Sequence, residues 1–355
     1  MCKGKIIKNN RGELYYFFID NNGLCYKSVL KEQKSKVILS NAVFDFDVSW
    51  TDGGFSVICQ NDEGSIIYLK EKNGIFLKNT LFYNKNGITY KKYFKILIKD
   101  NIVNAFYIIN IKEKNMLVYH RKITENSRPE IIDYVTDCNY YAYIDSENNI
   151  NVVYNNENIN FAAVSETGVP VITNSMNGNF ICGMYHKEKL YSVLKSDKIY
   201  MLSDGTDTVK AEFLKNCEFV IPYFIDDIFS LMYIKNGKLY QLKAENLKQL
   251  ASPLFIATQK RTDIFSVELP GGNIKTDYSF GYLYNSFPRL FLINELLKLN
   301  YIPVSDFRNE QSWKNEILLL ESHIRKLEKN EQELKNKIIK IEDFLIKLYE
   351  MNNEI

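Results

Sequence analysis

One hairpin pattern recurs along most of this chain and constrains its fold more than any other feature. The clearest copy is LMYIKNGKLYQL at residues 231–242, where two alternating apolar runs flank the turn Lys235-Asn236-Gly237. An Asn-Gly pair between such runs is a strong hairpin signal, because glycine takes a positive φ angle without steric cost. The pattern therefore predicts antiparallel β-structure.

The same strand–turn–strand pattern returns at intervals of about 43 residues. A tyrosine that follows an aliphatic residue marks the second strand of each copy, and an apolar strand with a polar turn precedes it. Another apolar segment lies before most of these hairpins, and a fourth short strand follows several of them. The markers are Tyr26, Tyr68, Tyr119, Tyr154, Tyr191 and Tyr240, with Tyr282 as a seventh candidate.

Four short antiparallel strands in roughly 40–45 residues are the unit of a β-propeller blade, which stacks on its neighbours to bury both faces. Residues 1–288 therefore resemble the β-propeller class in general, and we expect an all-β repeat domain of six or seven blades. The Gly-His and Trp-Asp signature of WD repeats is missing, so the resemblance implies an architecture and assigns no functional residue. A large β-sandwich, or a pair of β domains with chance periodicity, is the alternative.

Composition narrows the choice of function. The high aromatic content, with 25 Tyr and 22 Phe, favours strands. The net charge is only +2 and the basic residues are dispersed, so we expect no nucleic-acid partner. We find neither a signal peptide nor a run of about 20 apolar residues that could span a bilayer, and we expect a cytoplasmic protein.

Cysteine and histidine spacing gives no sign of a metal site. No C-x-x-C motif occurs, so we expect the cysteines to be reduced and mostly buried. The three histidines, His120, His186 and His323, are too scattered to predict a zinc site. We expect no metal and no cofactor. The cysteines are Cys2, Cys25, Cys59, Cys138, Cys182 and Cys217.

Three acidic pairs are the other candidates for chemistry. Asp45 and Asp47 alternate, which places both carboxylates on one face of a predicted strand. Carboxylates at the mouth of a propeller can bind a cation or sugar hydroxyls, but in turns they usually accept nearby backbone N–H groups. No G-x-S-x-G motif is present, and we predict no catalytic residue. The remaining pairs, in predicted turns, are Asp204 with Asp207 and Asp226 with Asp227.

The apolar period changes from two to 3.6 after Pro288. The stretch RLFLINELLKLN has helical spacing and is followed by the helix-breaking Tyr301-Ile302-Pro303. It is too short to span a bilayer. We therefore assign residues 289–304 to a short amphipathic helix and linker, with the helix packed against the propeller.

Residues 305–355 carry five heptads whose a and d positions are apolar except at Glu331, which is a strong coiled-coil signal. Ile at a with Leu at d favours a parallel pair, whereas the wider apolar surface near the end suits a third strand, an antiparallel helix or another protein. A single helix folded back on the propeller is the alternative. The predicted interface is Ile317, Leu320, Ile324, Leu327, Glu331, Leu334, Ile338, Ile341, Leu345 and Leu348.

These features predict a non-enzymatic interaction or scaffold protein. The propeller would present a binding surface, and the coiled coil would join copies into a homo-oligomer, a dimer or trimer, or tether a protein partner. Two alternatives come from other classes. One is a propeller-type hydrolase or lyase with its site at the propeller mouth, and the other is a carbohydrate-binding protein that uses exposed aromatic side chains.

Overall fold

The computed structural model describes residues 2–9, 11, 13–28, 34–51, 53–84, 87–123, 127–164, 170–225, 228–250 and 252–258. It also describes residues 263–268, 276–284 and 287–291. The predicted coiled coil at 305–355 lies outside these residues. Within the described part of the chain, no helix is long and apolar enough to cross a bilayer.

Strands make up almost all of the regular structure, and one 3-10 helix (Glu212–Leu214) is also present. The strands, four to a blade, are β1 (Cys2–Lys8), β2 (Leu14–Asp20), β3 (Gly23–Ser28), β4 (Lys36–Leu39); β5 (Ala42–Thr51), β6 (Gly54–Asn61), β7 (Ile66–Lys72), β8 (Ile75–Phe82); β9 (Lys95–Lys99), β10 (Ile102–Ile111), β11 (Lys114–His120), β12 (Glu130–Val135); β13 (Tyr140–Ile144), β14 (Ile150–Asn156), β15 (Asn158–Val164), β16 (Pro170–Met176); β17 (Asn179–His186), β18 (Lys189–Ser196), β19 (Ile199–Ser203), β20 (Thr208–Lys210); and β21 (Phe219–Ile225), β22 (Ile228–Lys235), β23 (Lys238–Ala244), β24 (Leu254–Thr258). Three more strands follow, β25 (Asp263–Glu268), β26 (Thr276–Tyr284) and β27 (Phe287–Phe291).

The predicted β-propeller is confirmed. Strands β1 to β24 form six four-stranded antiparallel units in which the strands lie side by side in chain order. The first strand of each of the first five units contacts the first strand of the next, so the units are the blades of a propeller and their number fits six. The strands β25 to β27 extend the sheet of the first blade, because β25 pairs with β1 in parallel.

The tyrosine markers do not keep one position in the blade. Tyr26 and Tyr119 lie on third strands, as do the markers of the second and sixth blades, but Tyr154 and Tyr191 lie on second strands. This shift explains why Tyr154 follows Tyr119 more closely in the sequence than the mean interval, and why Tyr240 follows Tyr191 at a longer one. The segment EIIDYV lies before the hairpin marked by Tyr154, so the repeat pattern predicts that it opens the fourth blade. It is instead β12, the outer strand of the third. The successive hairpins of one blade have similar sequence patterns, so the sequence alone did not show whether a marker lies on the second or the third strand.

The beginning of the predicted amphipathic helix is a strand. Residues 289–291 lie in β27, which pairs antiparallel with β26, and the rest of the predicted helix lies outside the described residues. A short apolar run fits a strand as well as a helix, so the apolar spacing predicted a helix where the structure has a strand. Pro288 is tolerated because β27 is the edge strand of its sheet.

Aromatic side chains fill the space between blades. Between the first two blades, the ring of Phe17 stacks on Tyr26 at 5.4 Å and meets Phe55 edge-on at 4.9 Å. The markers Tyr119 and Tyr154 are both fully buried in the core between the third and fourth blades. Tyrosine therefore serves mainly as a core residue here, and burial of both faces of each blade stabilises the stack.

The turn at Asn236-Gly237 has the geometry that its sequence predicts. Both residues have positive φ angles, 51° and 65°, as a type I′ hairpin turn requires. The β10–β11 turn has the same geometry at Lys112 (φ 49°) and Glu113 (φ 66°), although neither residue favours it. The propeller therefore contains both an ideal and a strained version of one turn.

We expect Glu113→Gly to raise the free energy of unfolding by about 0.5–1 kcal/mol, because it removes the strain of a left-handed non-glycine residue. The reciprocal change, Gly237→Ala, should lower it by about 1 kcal/mol. Urea unfolding measured by tryptophan fluorescence checks both variants. Equal effects of the same sign would contradict this account of the turns.

Candidate functional site

The carboxylates Asp45 and Asp47 form the centre of a polar cluster between the second and third blades. Both lie on β5, the first strand of the second blade, where the pairing with β6 shifts between Val43 and Phe46. Phe44 sits in this bulge with a φ angle of 65° and an exposed ring. A bulge bends its strand and redirects side chains, and the two carboxylates that follow both reach the third blade.

Asp45 binds the backbone that leads into the third blade. Its Oδ1 accepts the N–H of Lys92 at 3.1 Å, and its Oδ2 accepts those of Tyr93 at 2.6 Å and Phe94 at 3.3 Å. Burial raises the pKa of the Asp45 carboxyl, and these three N–H groups oppose the rise.

Asp47 connects three blades. Its Oδ1 accepts the ammonium of Lys5 from the first blade at 2.6 Å, and its Oδ2 accepts the N–H of Ile96 from the third blade at 2.6 Å. The side chains of Lys5 and Asp47 are only 6% and 8% exposed, so both charges depend on partners inside the protein. The two candidate carboxylates of the sequence are therefore clamps between blades.

Lys92 and Tyr140 complete the cluster. The Lys92 ammonium lies 3.7 Å from the centre of the Tyr90 ring, and the residue is almost fully buried. Burial lowers the pKa of Lys92 to about 8, although the Asp45 carboxylate opposes the shift. The Tyr140 hydroxyl, from the fourth blade, donates to the carbonyls of Tyr93 and Phe106 in the third. Its pKa lies well above the ordinary value because of burial.

The turn aspartates at 204 and 207 behave as turn formers. Asp204 Oδ1 accepts the N–H groups of Thr206 at 2.9 Å and Asp207 at 2.7 Å, while Oδ2 accepts the Lys189 ammonium at 2.9 Å. Burial raises the pKa of Asp204, but these donors outweigh it and hold the pKa well below its usual range. Asp207 pairs with Lys248 at 2.9 Å in an exposed position. The pair Asp226-Asp227 lies outside the described residues.

The histidines occupy separate places. His186 ends β17 and its ring stacks on Phe224 at 4.0 Å, between the fifth and sixth blades. His120 ends β11 and is completely buried. His323 lies outside the described residues. In the part of the chain that the structure describes, no three His, Cys, Asp or Glu side chains are grouped so that they could hold a metal ion. The free thiols are those of Cys25, Cys59, Cys138, Cys182 and Cys217.

Large apolar side chains are exposed along the outer strand of the second blade. On β8, Ile75 is 65% exposed and Leu77 is 55% exposed, and Phe82 ends the strand with its ring partly in solvent. Tyr83 and Ile88 follow with exposures of 73% and 62%. We call these five residues the β8 stripe. Scattered apolar residues are ordinary on a surface, whereas large contiguous apolar patches are typical of interaction sites.

Comparisons with known proteins add fold similarity only. No protein-family model matches the chain, and no curated protein matches it. A fungal lectin from Aleuria aurantia, a six-bladed β-propeller with a novel mode of fucose recognition, is 10% identical with a TM-score of 0.38. The match covers 80% of this chain and 89% of the lectin.

Two other solved structures are similar to this chain at the same level. The β-propeller domain of Cps50 (Swd1) from Myceliophteria thermophila is 9% identical, with a TM-score of 0.49 and coverage of 82% of this chain and 97% of that domain. A polysaccharide lyase, an ulvan lyase, is 10% identical, with a TM-score of 0.49 and coverage of 84% and 95%.

We expect Asp47→Asn to lower the free energy of unfolding by about 3 kcal/mol, because it leaves the Lys5 ammonium buried without its counter-charge. Asp207→Asn is the matched control in an exposed ion pair and should change stability by less than about 1 kcal/mol. Adding Lys5→Met to Asp47→Asn should recover part of the loss. Urea unfolding at pH 7 measures all three, and equal losses for the two Asn variants would show that Asp47 is not a clamp.

Lys92 should make stability rise with alkaline pH. Its folded-state pKa of about 8 lies below the ordinary 10.5, so the folded protein binds fewer protons than the unfolded chain between these values. The penalty for burying the ammonium is complete below pH 8 and disappears as pH approaches 10.5. Lys92→Met should therefore raise the free energy of unfolding by about 2 kcal/mol at pH 7.

This advantage should shrink when the same unfolding is measured at pH 10. The control is Lys91→Met, because the exposed Lys91 ammonium also lies over a tyrosine ring, that of Tyr93 at 4.5 Å, without being buried. We expect little effect from it at either pH. An advantage of Lys92→Met that is the same at both pH values would assign it to packing instead of charge.

Proposed function

We propose that this protein is an interaction protein that binds a protein partner at the outer edge of its second blade. The observation that carries the proposal is the β8 stripe, in which exposed apolar side chains follow a strand whose outer backbone edge has no neighbour among the described strands. An extended peptide can add itself to such an edge. Its backbone would pair with β8 and its side chains would cover the apolar ones.

The outer strands of the neighbouring blades are less suited to this. Outer strands usually resist pairing by being short, charged or interrupted by proline. The first and fifth blades end in strands of four and three residues, β4 and β20. The strand β12 carries Glu130 and Asp133, and β16 begins at Pro170. In contrast, β8 has eight residues, no proline and a single charge, at Lys78.

The polar cluster supports this choice over a hydrolase or lyase at the mouth. A catalytic carboxylate must reach its substrate, whereas Asp45 and Asp47 accept hydrogen bonds from the backbone of the third blade. Asp47 is also neutralised by Lys5. These carboxylates hold blades together, whereas the β8 stripe exposes apolar side chains that a partner could cover.

The C-terminal heptads add a second mode of association to the proposal. Residues 305–355 would form a coiled coil through the a and d positions from Ile317 to Leu348. Joining two or more propellers would raise the avidity of the β8 edge for a multivalent partner. We place the protein in the cytoplasm, where the free thiols of its cysteines would stay reduced.

Affinity purification of the tagged full chain from its own cells tests this function. Leu77→Lys should reduce recovery of the partner by at least roughly tenfold, because it puts a charge into the apolar contact. Val171→Lys is the matched control, since both side chains are 55% exposed on an outer strand. A third variant, Ile324→Lys with Ile338→Lys, breaks the heptads.

The three variants separate the two modes of association. A partner lost with Leu77→Lys and kept with Val171→Lys binds the β8 stripe. A partner lost only with the heptad variant binds the coil. If Leu77→Lys recovers the same proteins as the wild type in the same amounts, the β8 stripe is not the binding surface.

A further inference from the structure

One serine hydroxyl in the third blade lies against a buried imidazole. Ser127 Oγ is 2.8 Å from Nε2 of His120, and Nδ1 of the same ring is 3.3 Å from the hydroxyl of Tyr107. The carbonyl oxygen of Ser127 is also 3.3 Å from Nε2. The three side chains thus form a chain from a hydroxyl, through an imidazole, to a second hydroxyl.

Strand pairing fixes this arrangement. His120 lies opposite Ala105 and Val118 lies opposite Tyr107, so Tyr107 and His120 are diagonal neighbours on one face of the β10–β11 pair. His120 is completely buried and Tyr107 is almost so, whereas Ser127, on the segment between β11 and β12, is partly exposed. The base is therefore held in place inside the β10–β11 pair, and the serine that it contacts is partly exposed.

The protonation states suit a base. Burial lowers the pKa of His120, although its hydrogen bond to the Ser127 backbone opposes the shift, so the ring is neutral at pH 7. In the tautomer that a base requires, Nδ1 carries the ring proton and donates to the Tyr107 oxygen, which leaves Nε2 to accept the Ser127 O–H. A nucleophile, a base and a group that orients the base are the parts of an activated serine.

We propose that Ser127 is an activated nucleophile, with His120 as its general base, and that it reacts with small carboxylic esters. In the step, the Ser127 Oγ–carbonyl carbon bond forms and the hydroxyl proton moves to His120 Nε2. The bond from the carbonyl carbon to the leaving oxygen then breaks, and His120 returns the proton to that oxygen. The products are an acyl-serine and an alcohol, and water as the second reactant releases the acid. Tyr107 is a positioning residue.

This inference does not depend on the proposed partner binding, because it concerns another blade and other atoms. Nothing in the sequence around Ser127 predicts it, since no nucleophile motif surrounds the residue. The signal is spatial, and it comes from two strands and the segment that follows them.

A fluorophosphonate probe tests the proposal on the folded full chain. It reacts as an ester does, since the Oγ–P bond forms, the P–F bond breaks and the proton leaves through His120. We expect one adduct per chain by intact mass, located at Ser127 by peptide mass spectrometry. Ser127→Ala should abolish it, whereas Ser175→Ala, a control at an exposed serine on β16, should leave it unchanged.

The base and the positioning residue have their own variants. His120→Asn should slow labelling by about 100-fold, the usual contribution of a general base. Tyr107→Phe should slow it by roughly tenfold and lower the pH midpoint of labelling, which a purely structural role would not move. If His120→Asn does not fold, Ser127→Cys provides a second test, because His120 should speed its alkylation by iodoacetamide relative to the other thiols.

Two results would overturn the proposal. One is a wild-type chain that stays unlabelled at a probe concentration that fully labels a known serine esterase. The other is labelling that persists in Ser127→Ala at the wild-type rate, because the adduct would then belong to another residue.

Discussion

Hydrogen bonds from polar side chains to the first strand of the neighbouring blade are the interaction on which this structure depends. From the second blade to the sixth, the first strand of a blade lies at one end of its sheet, so one side of its backbone has no ladder partner among the described strands. In a stack of blades that edge is buried, and a buried N–H or C=O without a partner costs about as much as a lost hydrogen bond. The neighbouring blade must therefore supply side-chain donors and acceptors.

The structure shows this solution at successive blade boundaries. Asp45 and Asp47 accept N–H groups from the beginning of the third blade. Asn155 of the fourth blade both accepts from Phe180 N and donates to Phe180 O on β17, at 2.7 and 2.8 Å. Cys182 of the fifth blade donates its thiol to the Val220 carbonyl on β21 at 3.3 Å. The residue types differ, but each performs the same task, so the blades show structural repetition with little sequence repetition.

The difference between contacts within a hairpin and contacts between blades also explains what the sequence could predict. Strands and turns depend on neighbours in the chain, so the hairpin period and the Asn236-Gly237 turn were readable. The same-face placement of Asp45 and Asp47 was readable too, but their partners are 47–49 residues away in the next blade, and no local pattern names them. The contact of Ser127 with His120 spans seven residues, yet it depends on a loop path that propensities do not define.

Both edges of a blade carry backbone N–H and C=O groups that need hydrogen-bond partners, and the two edges meet this need differently. At the inner edge, burial forces every backbone group to find a partner, and the polar side chains that satisfy them are consequently unavailable to a substrate. At the outer edge, water satisfies the backbone, so the remaining risk is unwanted pairing with another chain. Shortness, charge or proline reduces that risk in β4, β20, β12 and β16. The strand β8 has none of these protections to the same degree, and it also exposes Ile75 and Leu77. The strand β24 also lacks charge and proline but has only five residues, so β8 is the longest of these outer strands and the one whose backbone edge is most open to pairing.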